Sequence, residues 1–338
     1  MFRSPRRAIA IALFMVLPLV LAACSNTGGK KAAQAAEGGG TAVAAGHANT
    51  KHYTIAMITH AAPGDTFWDI IRHGATAAAA KDNITLKYSN SNDPTKQSQL
   101  IDDAINSKVD GIAVTDPNPG ALCPTIQKAK AAGIPVVMFN AGYSNWQQCG
   151  GMMYFGQDEA IAGVAAGKRL AAAGKKNVLC VLQDQGQAQL EARCAGVKQG
   201  LGSEGTMSKL YVKGTDSAAT LSSMSAELTR NTKIDAVITL GAQFALIAIQ
   251  ALNQAHSSAK LYTFDTSAPE ISKIKSGQVQ WAVDKKPYLQ GYESVDGMWL
   301  YLTNANFIGG GQTVLTGPSF VDASNVDQVA KYAAAGNR

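Results

Sequence analysis

Val109-Asp110-Gly111-Ile112-Ala113-Val114, a helical stretch over 120–132, and then Gly133-Ile134-Pro135-Val136-Val137 decide the fold of this chain. Each apolar run is short, continuous and bounded by Gly or Pro, which reads as a strand buried on both faces. A helix between two such strands is the crossover that joins parallel neighbours. The same unit repeats outward. Tyr53-Thr54-Ile55-Ala56-Met57-Ile58 reads as a strand, and Phe67, Ile70, Ile71, Gly74 and Ala78 then fall on one helical face. A strand over 84–88 and a helix over 96–105 complete the approach to Val109. Beyond Phe139 the pattern restarts, with helices over 158–173, 190–201, 218–229, 244–255, 269–276 and 288–303. Strands over 178–182, 209–212, 236–240, 261–264 and 279–283 lie between them. Some ten strands in about 285 residues are too many for one comfortable sheet. The expectation is α/β, with two doubly wound parallel-sheet lobes.

Composition permits this and excludes much else. The chain has 338 residues, 46% hydrophobic and 16% charged, with 33 Gly and 11 Pro, so it is neither disordered nor fibrous. Without Arg3, Arg6 and Arg7 the net charge falls from +6 to +3, which gives no case for a nucleic-acid partner. Those arginines precede sixteen uncharged residues, Ala8 to Ala23, interrupted by Pro18. That stretch is short for a membrane span, and with its basic start reads as a secretory signal over 1–23. Leu21-Ala22-Ala23-Cys24 resembles a bacterial lipobox, which implies that Cys24 carries a diacylglycerol and holds the chain to a membrane. The Gly-, Ala- and Ser-rich segment 24–51, including Gly38-Gly39-Gly40, reads as a flexible tether.

The four other cysteines fit an oxidising compartment. They allow three pairings, and sequence alone does not choose. Cys123–Cys149 and Cys180–Cys194 are favoured because each pair lies within one expected lobe; free buried thiols are the alternative. No spacing resembles a metal site.

Ligands of doubly wound sheets bind beyond the carboxyl ends of the strands. The residues there are Asp65-Thr66-Phe67-Trp68, Thr115-Asp116-Pro117, Asn140-Ala141-Gly142, Asp265-Thr266-Ser267 and Asp284-Lys285-Lys286-Pro287. Any one of these polar residues also suits a helix N-cap. The whole set, with two aromatics at the first strand, points to a site for a polar ligand.

These segments carry a family resemblance. With Gly156-Gln157-Asp158-Glu159, Arg193, Phe264-Asp265 and Pro287-Tyr288-Leu289-Gln290-Gly291-Tyr292, their order and spacing over about 52–325 resemble bacterial extracytoplasmic sugar-binding proteins of the ribose-binding type. Such proteins feed ABC importers. The resemblance implies two lobes joined by three crossings, near 155–157, 284–286 and 311–316. Lobe 1 would hold 52–156 and 286–313, and lobe 2 would hold 157–285 and 314–338. Phe67 and Trp68 would stack on the apolar face of a sugar or polyol. Asp65, Asp116 and Asn140 would take hydroxyls from lobe 1. Arg193, Asp216 and Asp265 would do so from lobe 2, with Gly241 standing where relatives often use a side chain.

Three departures set ribose itself aside. Ala141 stands where ribose-type relatives place an arginine, Lys285 where many have glutamine, and Gln187 where an asparagine is often seen. Lys285 with Arg193 would suit an acidic or phosphorylated sugar, unless Lys285 pairs with Asp265 or Asp284 and leaves the pocket neutral. Gly200-x-Gly202-x-x-Gly205 matches the dinucleotide pattern but follows a helix and precedes a strand, the reverse of the required context. No Walker loop or nucleophile elbow occurs. The expectation is therefore a binding protein, not an enzyme. It would be monomeric, need no cofactor or metal, and deliver a sugar, polyol or related solute to an ABC permease. A lipoprotein that presents its ligand to a membrane receptor is the alternative.

Overall fold

The computed structural model describes residues 47–338. The expected secretory signal, Cys24 and most of the expected tether lie outside the described residues. The folded body begins earlier than the composition suggests. Ala48 N–H donates to Lys81 O at 2.7 Å, and Thr50 Oγ1 accepts from Trp299 Nε1 at 3.1 Å. Ala48 and Thr50 therefore belong with the folded body, not with the expected tether.

The first sheet takes β1 (Tyr53–Thr59), β2 (Ile84–Asn90), β3 (Gly111–Val114), β4 (Val136–Phe139), β5 (Met153–Gly156) and β11 (Val314–Leu315). Their order is β11-β5-β4-β3-β1-β2, parallel throughout. Helices α1 (Phe67–Lys81), α2 (Pro94–Asn106) and α3 (Pro119–Ala131) connect these strands. The second sheet takes β6 (Asn177–Leu182), β7 (Thr206–Tyr211), β8 (Ala236–Thr239), β9 (Lys260–Phe264), β10 (Trp281–Asp284) and β12 (Ser319–Asp322). Its order is β12-β10-β9-β8-β6-β7, and β12 is an antiparallel edge on an otherwise parallel sheet. Around it lie α4 (Glu159–Ala172), α5 (Ala188–Leu201), α6 (Ser217–Arg230), α7 (Ala242–Gln254) and α8 (Ala268–Lys275). Helix α9 (Pro287–Asn304) returns to the first sheet, and α10 (Val326–Ala334) closes the second.

Strands β3, β4, β8 and β10 are buried along their whole length, which is why they read as unbroken apolar runs. Each sheet has an apolar cluster on either face, one built around Ile55, Phe139 and Met298 and another around Ile58, Leu122 and Met138 in the first lobe.

The chain passes between sheets three times: after β5, after β10, and between β11 and β12. The third passage falls at residues 316–318, not 311–316, because the two-residue strand β11 pairs with β5. Residues 314–315 therefore belong with the first sheet. Strand β7 begins three residues before its expected start, since its exposed Thr206, Ser208 and Lys209 mask the strand pattern. Cys123 is bonded to Cys149, and Cys180 to Cys194.

Glycine contacts set the packing of two helix pairs. A Cβ on Gly163 of α4 would lie 2.3 Å from Arg193 O, and one on Gly196 of α5 would lie 2.5 Å from Ala160 O. Likewise a Cβ on Gly74 of α1 would lie 2.0 Å from Tyr288 O of α9. Backbones this close tolerate only hydrogen at the contact. Gly200 belongs to the same stripe, where a Cβ would lie 2.3 Å from Val164 O, and Gly202 ends α5 at φ 72°. The apparent dinucleotide motif is thus helix packing followed by a helix stop.

Candidate functional site

The carboxyl ends of the two sheets face each other across a cleft. At the end of β4, Asn140 takes φ 64°; at the end of β9, Asp265 takes φ 67°. Asn and Asp tolerate this left-handed conformation better than most residues. Each N–H bonds the neighbouring strand, Asn140 to Phe155 O at 3.0 Å and Asp265 to Val283 O at 2.8 Å. The two lobes thus present matching polar residues at corresponding turns.

Between them lies a chamber of about 60 Å³. At about 10–15 Å³ per water-sized occupant, it suits a single ring-sized polar solute. The first lobe contributes His60, Asp65, Phe67, Trp68 and Asn140, and the second contributes Gln183, Gln187, Gln189, Arg193, Gly241, Asp265 and Thr266. Lys285 enters from the passage after β10.

Arg193 is fully buried and already committed. Its Nε and Nη2 donate to Glu159 at 2.6 and 2.9 Å, and Nη1 donates to Leu240 O at 2.9 Å. Gln157 Nε2 steadies the same carboxylate at 2.7 Å. Burial would raise the Glu159 pKa, but the guanidinium charge and its hydrogen bonds hold it below the usual carboxylate value. Arg193 Nη1 also stands 3.7 Å from Asp265 Oδ2. On the other side of Asp265, Lys285 Nζ is 3.4 Å from Oδ1 and lies 4.5 Å from the centre of the Phe67 ring. Burial and the nearby Arg193 lower the Lys285 pKa. Burial raises that of Asp265, against the pull of Lys285 and Arg193.

Asp65 sits at the mouth of α1, where Oδ1 accepts from Phe67 N–H at 3.1 Å. Burial pushes it up to about 6. His60 is driven down to about 3 by burial and then by Lys285 and Arg193, so it is neutral. Its ring packs edge-on to Trp68 at 4.6 Å, and its Nδ1 meets Thr115 Oγ1 at 2.7 Å.

Three oxygens of residues lining the chamber are buried without a hydrogen-bond partner among the described residues, Gln183 Oε1, Gln189 Oε1 and Thr266 Oγ1, while Asp265 Oδ1 meets only the Lys285 ammonium at 3.4 Å. Leaving buried acceptors unpaired costs about 1–3 kcal/mol each. Such a wall is suited to a ligand rich in hydroxyl donors.

Eight of the ten residues expected at the site therefore line one chamber: Asp65, Phe67, Trp68, Asn140, Arg193, Gly241, Asp265 and Lys285. Asp216 does not. It is the N-cap of α6, and its side chain accepts from Ala219 N–H at 2.9 Å. Asp116 lines a neighbouring chamber instead. At Gly241 the missing side chain is replaced by neighbours, since a Cβ would meet Phe244 at 3.2 Å and Gln183 at 3.6 Å. Lys285 pairs with Asp265, whereas Asp284 pairs with Arg338. His60, Gln183, Gln189 and the Arg193 partner Glu159 were not expected. Glu159 opens a helix, where an acid ordinarily reads as a partner of the helix dipole.

The family model for the periplasmic binding protein domain matches residues 55–306. The chain belongs to the periplasmic binding protein family. The crystal structure of a carbohydrate transporter from Acidothermus cellulolyticus 11B, in complex with myo-inositol, is 59% identical with a TM-score of 0.84, covering 85% of this chain and 100% of that one. A periplasmic sugar-binding protein of an ABC sugar transporter from Legionella pneumophila shares the fold at 24% identity and a TM-score of 0.72, covering 78% of this chain and 99% of that one. The xylose/arabinose-binding protein XylF of Sulfolobus acidocaldarius is 25% identical over 261 residues, 72% of this chain. The match spans 64% of that relative's length. Members of this family work outside the cytoplasm. No helix among the described residues is long and apolar enough to cross a membrane.

Proposed function

We propose that this periplasmic binding protein captures a ring polyol of the inositol class, or a closely similar monosaccharide, and delivers it to an ABC permease. The observation that carries the reading is the set of three buried oxygens without a hydrogen-bond partner, together with the Asp265 carboxylate, around one ring-sized chamber beside the Phe67 and Trp68 rings. Ring hydroxyls would donate to these oxygens and to Asp65, while the aromatic pair covers the C–H face of the ring. The myo-inositol held by the 59% identical relative supports the same class. The balance of charge argues against an acidic or phosphorylated sugar, because Arg193 is matched by Glu159 and Lys285 by Asp265.

Capture works by hinge closure. The chamber draws its walls from both lobes, so a ligand that touches both stabilises the closed arrangement over the open one. Direct contacts already join the lobes: Ala188 N–H donates to Pro117 O at 3.2 Å, and Gln189 Nε2 lies 3.3 Å from His60 Nε2. At the hinge, Gln290 Nε2 donates to Lys285 O and Thr316 Oγ1 at 2.9 and 3.0 Å, and Asn140 Nδ2 donates to Gln290 Oε1 at 2.9 Å. One glutamine thus ties a ligand-facing asparagine to two of the three passages. The proposal includes a diacylglycerol anchor at Cys24; replacing it, Cys24→Ser, should move the protein from the membrane fraction to the soluble one.

Thermal unfolding against myo-inositol, its stereoisomers, pentoses, hexoses and sugar phosphates tests the ligand class. At about 1,000 times its dissociation constant a ligand adds about 4 kcal/mol, a shift on the order of 8–16 °C for lobes of this size. A shift with neutral polyols or sugars is expected, together with its loss in Asp265→Asn. A response confined to sugar phosphates would overturn the neutral-ligand reading.

A further inference from the structure

A second chamber, of about 280 Å³, adjoins the first, and Asn140 and Gln189 line both. It too lies between the lobes, with Asp116 and Tyr143 on one side and Ala188 and Ala192 of α5 on the other. Its chemistry repeats that of the first. There is an aromatic pair, Tyr143 and Tyr154, with ring centres 5.8 Å apart. There is a buried carboxylate, Asp116, whose Oδ2 accepts from Asn145 Nδ2 at 3.2 Å. Asp116 Oδ1 and Tyr154 Oη are buried without a hydrogen-bond partner among the described residues. Asp116 and Tyr154 are only 1% and 0% exposed, so these atoms cannot be satisfied by bulk water. The facing alanines of α5 leave the space unfilled by side chains.

Resting on the polyol reading, we propose that the second chamber is a subsite for a further sugar ring, so that the full ligand is a glycosylated ring polyol whose two rings bind on either side of Asn140 and Gln189. The first chamber is too small for both rings, and the second is several times larger than a methyl or hydroxymethyl substituent requires. An aromatic wall with a buried carboxylate and amides is the surface that recognises a sugar ring, through its C–H face and its hydroxyls. The unpaired Asp116 oxygen would accept a hydroxyl of the second ring.

Calorimetry with myo-inositol and two regioisomers of galactosyl-myo-inositol tests this. At least one regioisomer should bind within threefold of myo-inositol or tighter. Ala192→Phe, which fills the chamber from α5, should weaken that regioisomer at least tenfold and leave myo-inositol within twofold. Asp116→Asn, which keeps the shape, should act in the same direction and serves if Ala192→Phe fails to fold. If myo-inositol binds and both regioisomers are more than a hundredfold weaker, the subsite is refuted while the polyol reading stands. Equal effects of the variants on both ligands refute it as well. If none of the compounds binds, the polyol reading fails and this inference with it.

Discussion

Asp65 and Asp265 bring two carboxyl groups to one cleft, and burial raises the pKa of both. For Asp65 the rise to about 6 means that the folded protein without ligand holds this proton more tightly than the unfolded chain does. Its contribution to stability is present below about pH 4 and lost as pH rises through 6. On the proposed reading, ligand hydroxyls donating to the carboxylate would reverse the preference. Affinity for myo-inositol should therefore improve between about pH 4 and 7 and level off above, and Asp65→Asn should flatten the profile. Titration calorimetry in buffers of different ionisation heat would register the proton released; no release at pH 5.5 would remove Asp65 from the contact. Two tryptophans of the first lobe, Trp68 and Trp146, separate by place. Trp68 lines the chamber against His60, whereas Trp146 packs in the lobe core beside Tyr154. Trp146→Ala should cost about 3–5 kcal/mol of stability and leave affinity nearly unchanged. Trp68→Ala should weaken binding more than tenfold. Denaturant unfolding with calorimetry distinguishes them, and the reverse order would relocate the stacking surface.

Among the elements, the pair α4 and α5 does most to build the second lobe's share of the site. Glu159 opens α4 and Arg193 lies in the middle of α5, so the bidentate pair forms only if the helices meet closely. Gly163 and Gly196 allow this. An alanine in an exposed helix ordinarily gains about 1 kcal/mol over glycine. At Gly163 the added methyl would sit 2.3 Å from Arg193 O, with backbone on both sides and nothing flexible to yield. The clash should win. Gly163→Ala is expected to destabilise by about 1–3 kcal/mol and to weaken ligand binding through displacement of Arg193. Chemical denaturation of the ligand-free protein measures the first effect and calorimetry the second. A more stable Gly163→Ala protein would show that the helices can slide apart freely. Gly200 and Gly202 match a dinucleotide pattern that their context already excludes, and Gly163 and Gly196 carry no signal in the sequence. Only the partner helix reveals what they touch. The edge strands β11 and β12 were illegible for a related reason. Two to four residues carry no period, and their pairing is long-range.

At the scale of the whole molecule, three passages hold two lobes, and the chain's last residues close over one of them. Arg338 pairs with Asp284, a wholly buried carboxylate at the end of β10 whose other oxygen accepts from Lys286 N–H at 2.8 Å. Gly336 O meets His73 Nδ1 of α1 at 3.0 Å, so the end of the second lobe touches a helix of the first. Removing one partner of a buried charge leaves the other uncompensated. Arg338→Ala should lower stability by at least about 1 kcal/mol, or about 2–4 °C in a protein of this size. Scanning calorimetry checks this; an unchanged Tm would mean that water reaches Asp284 once the arginine is gone.

Sequence alone determined the α/β alternation, because strands buried on both faces are apolar runs and crossover helices carry a 3.6-residue period. It also showed which turns carry polar residues, because those turns follow the strands directly. Only the tertiary structure decided which of these residues share a chamber. Asp116 and Asp216 look alike in sequence to Asp265, yet one faces a second chamber and the other caps its own helix. Nor does local sequence say that Glu159 saturates Arg193, or that Gln290 bridges two passages of the hinge. Glu159 and Arg193 are 34 positions apart and Gln290 and Thr316 are 26, and the geometry of such contacts is set by how sheets and helices pack, not by the residues adjacent to them in the chain.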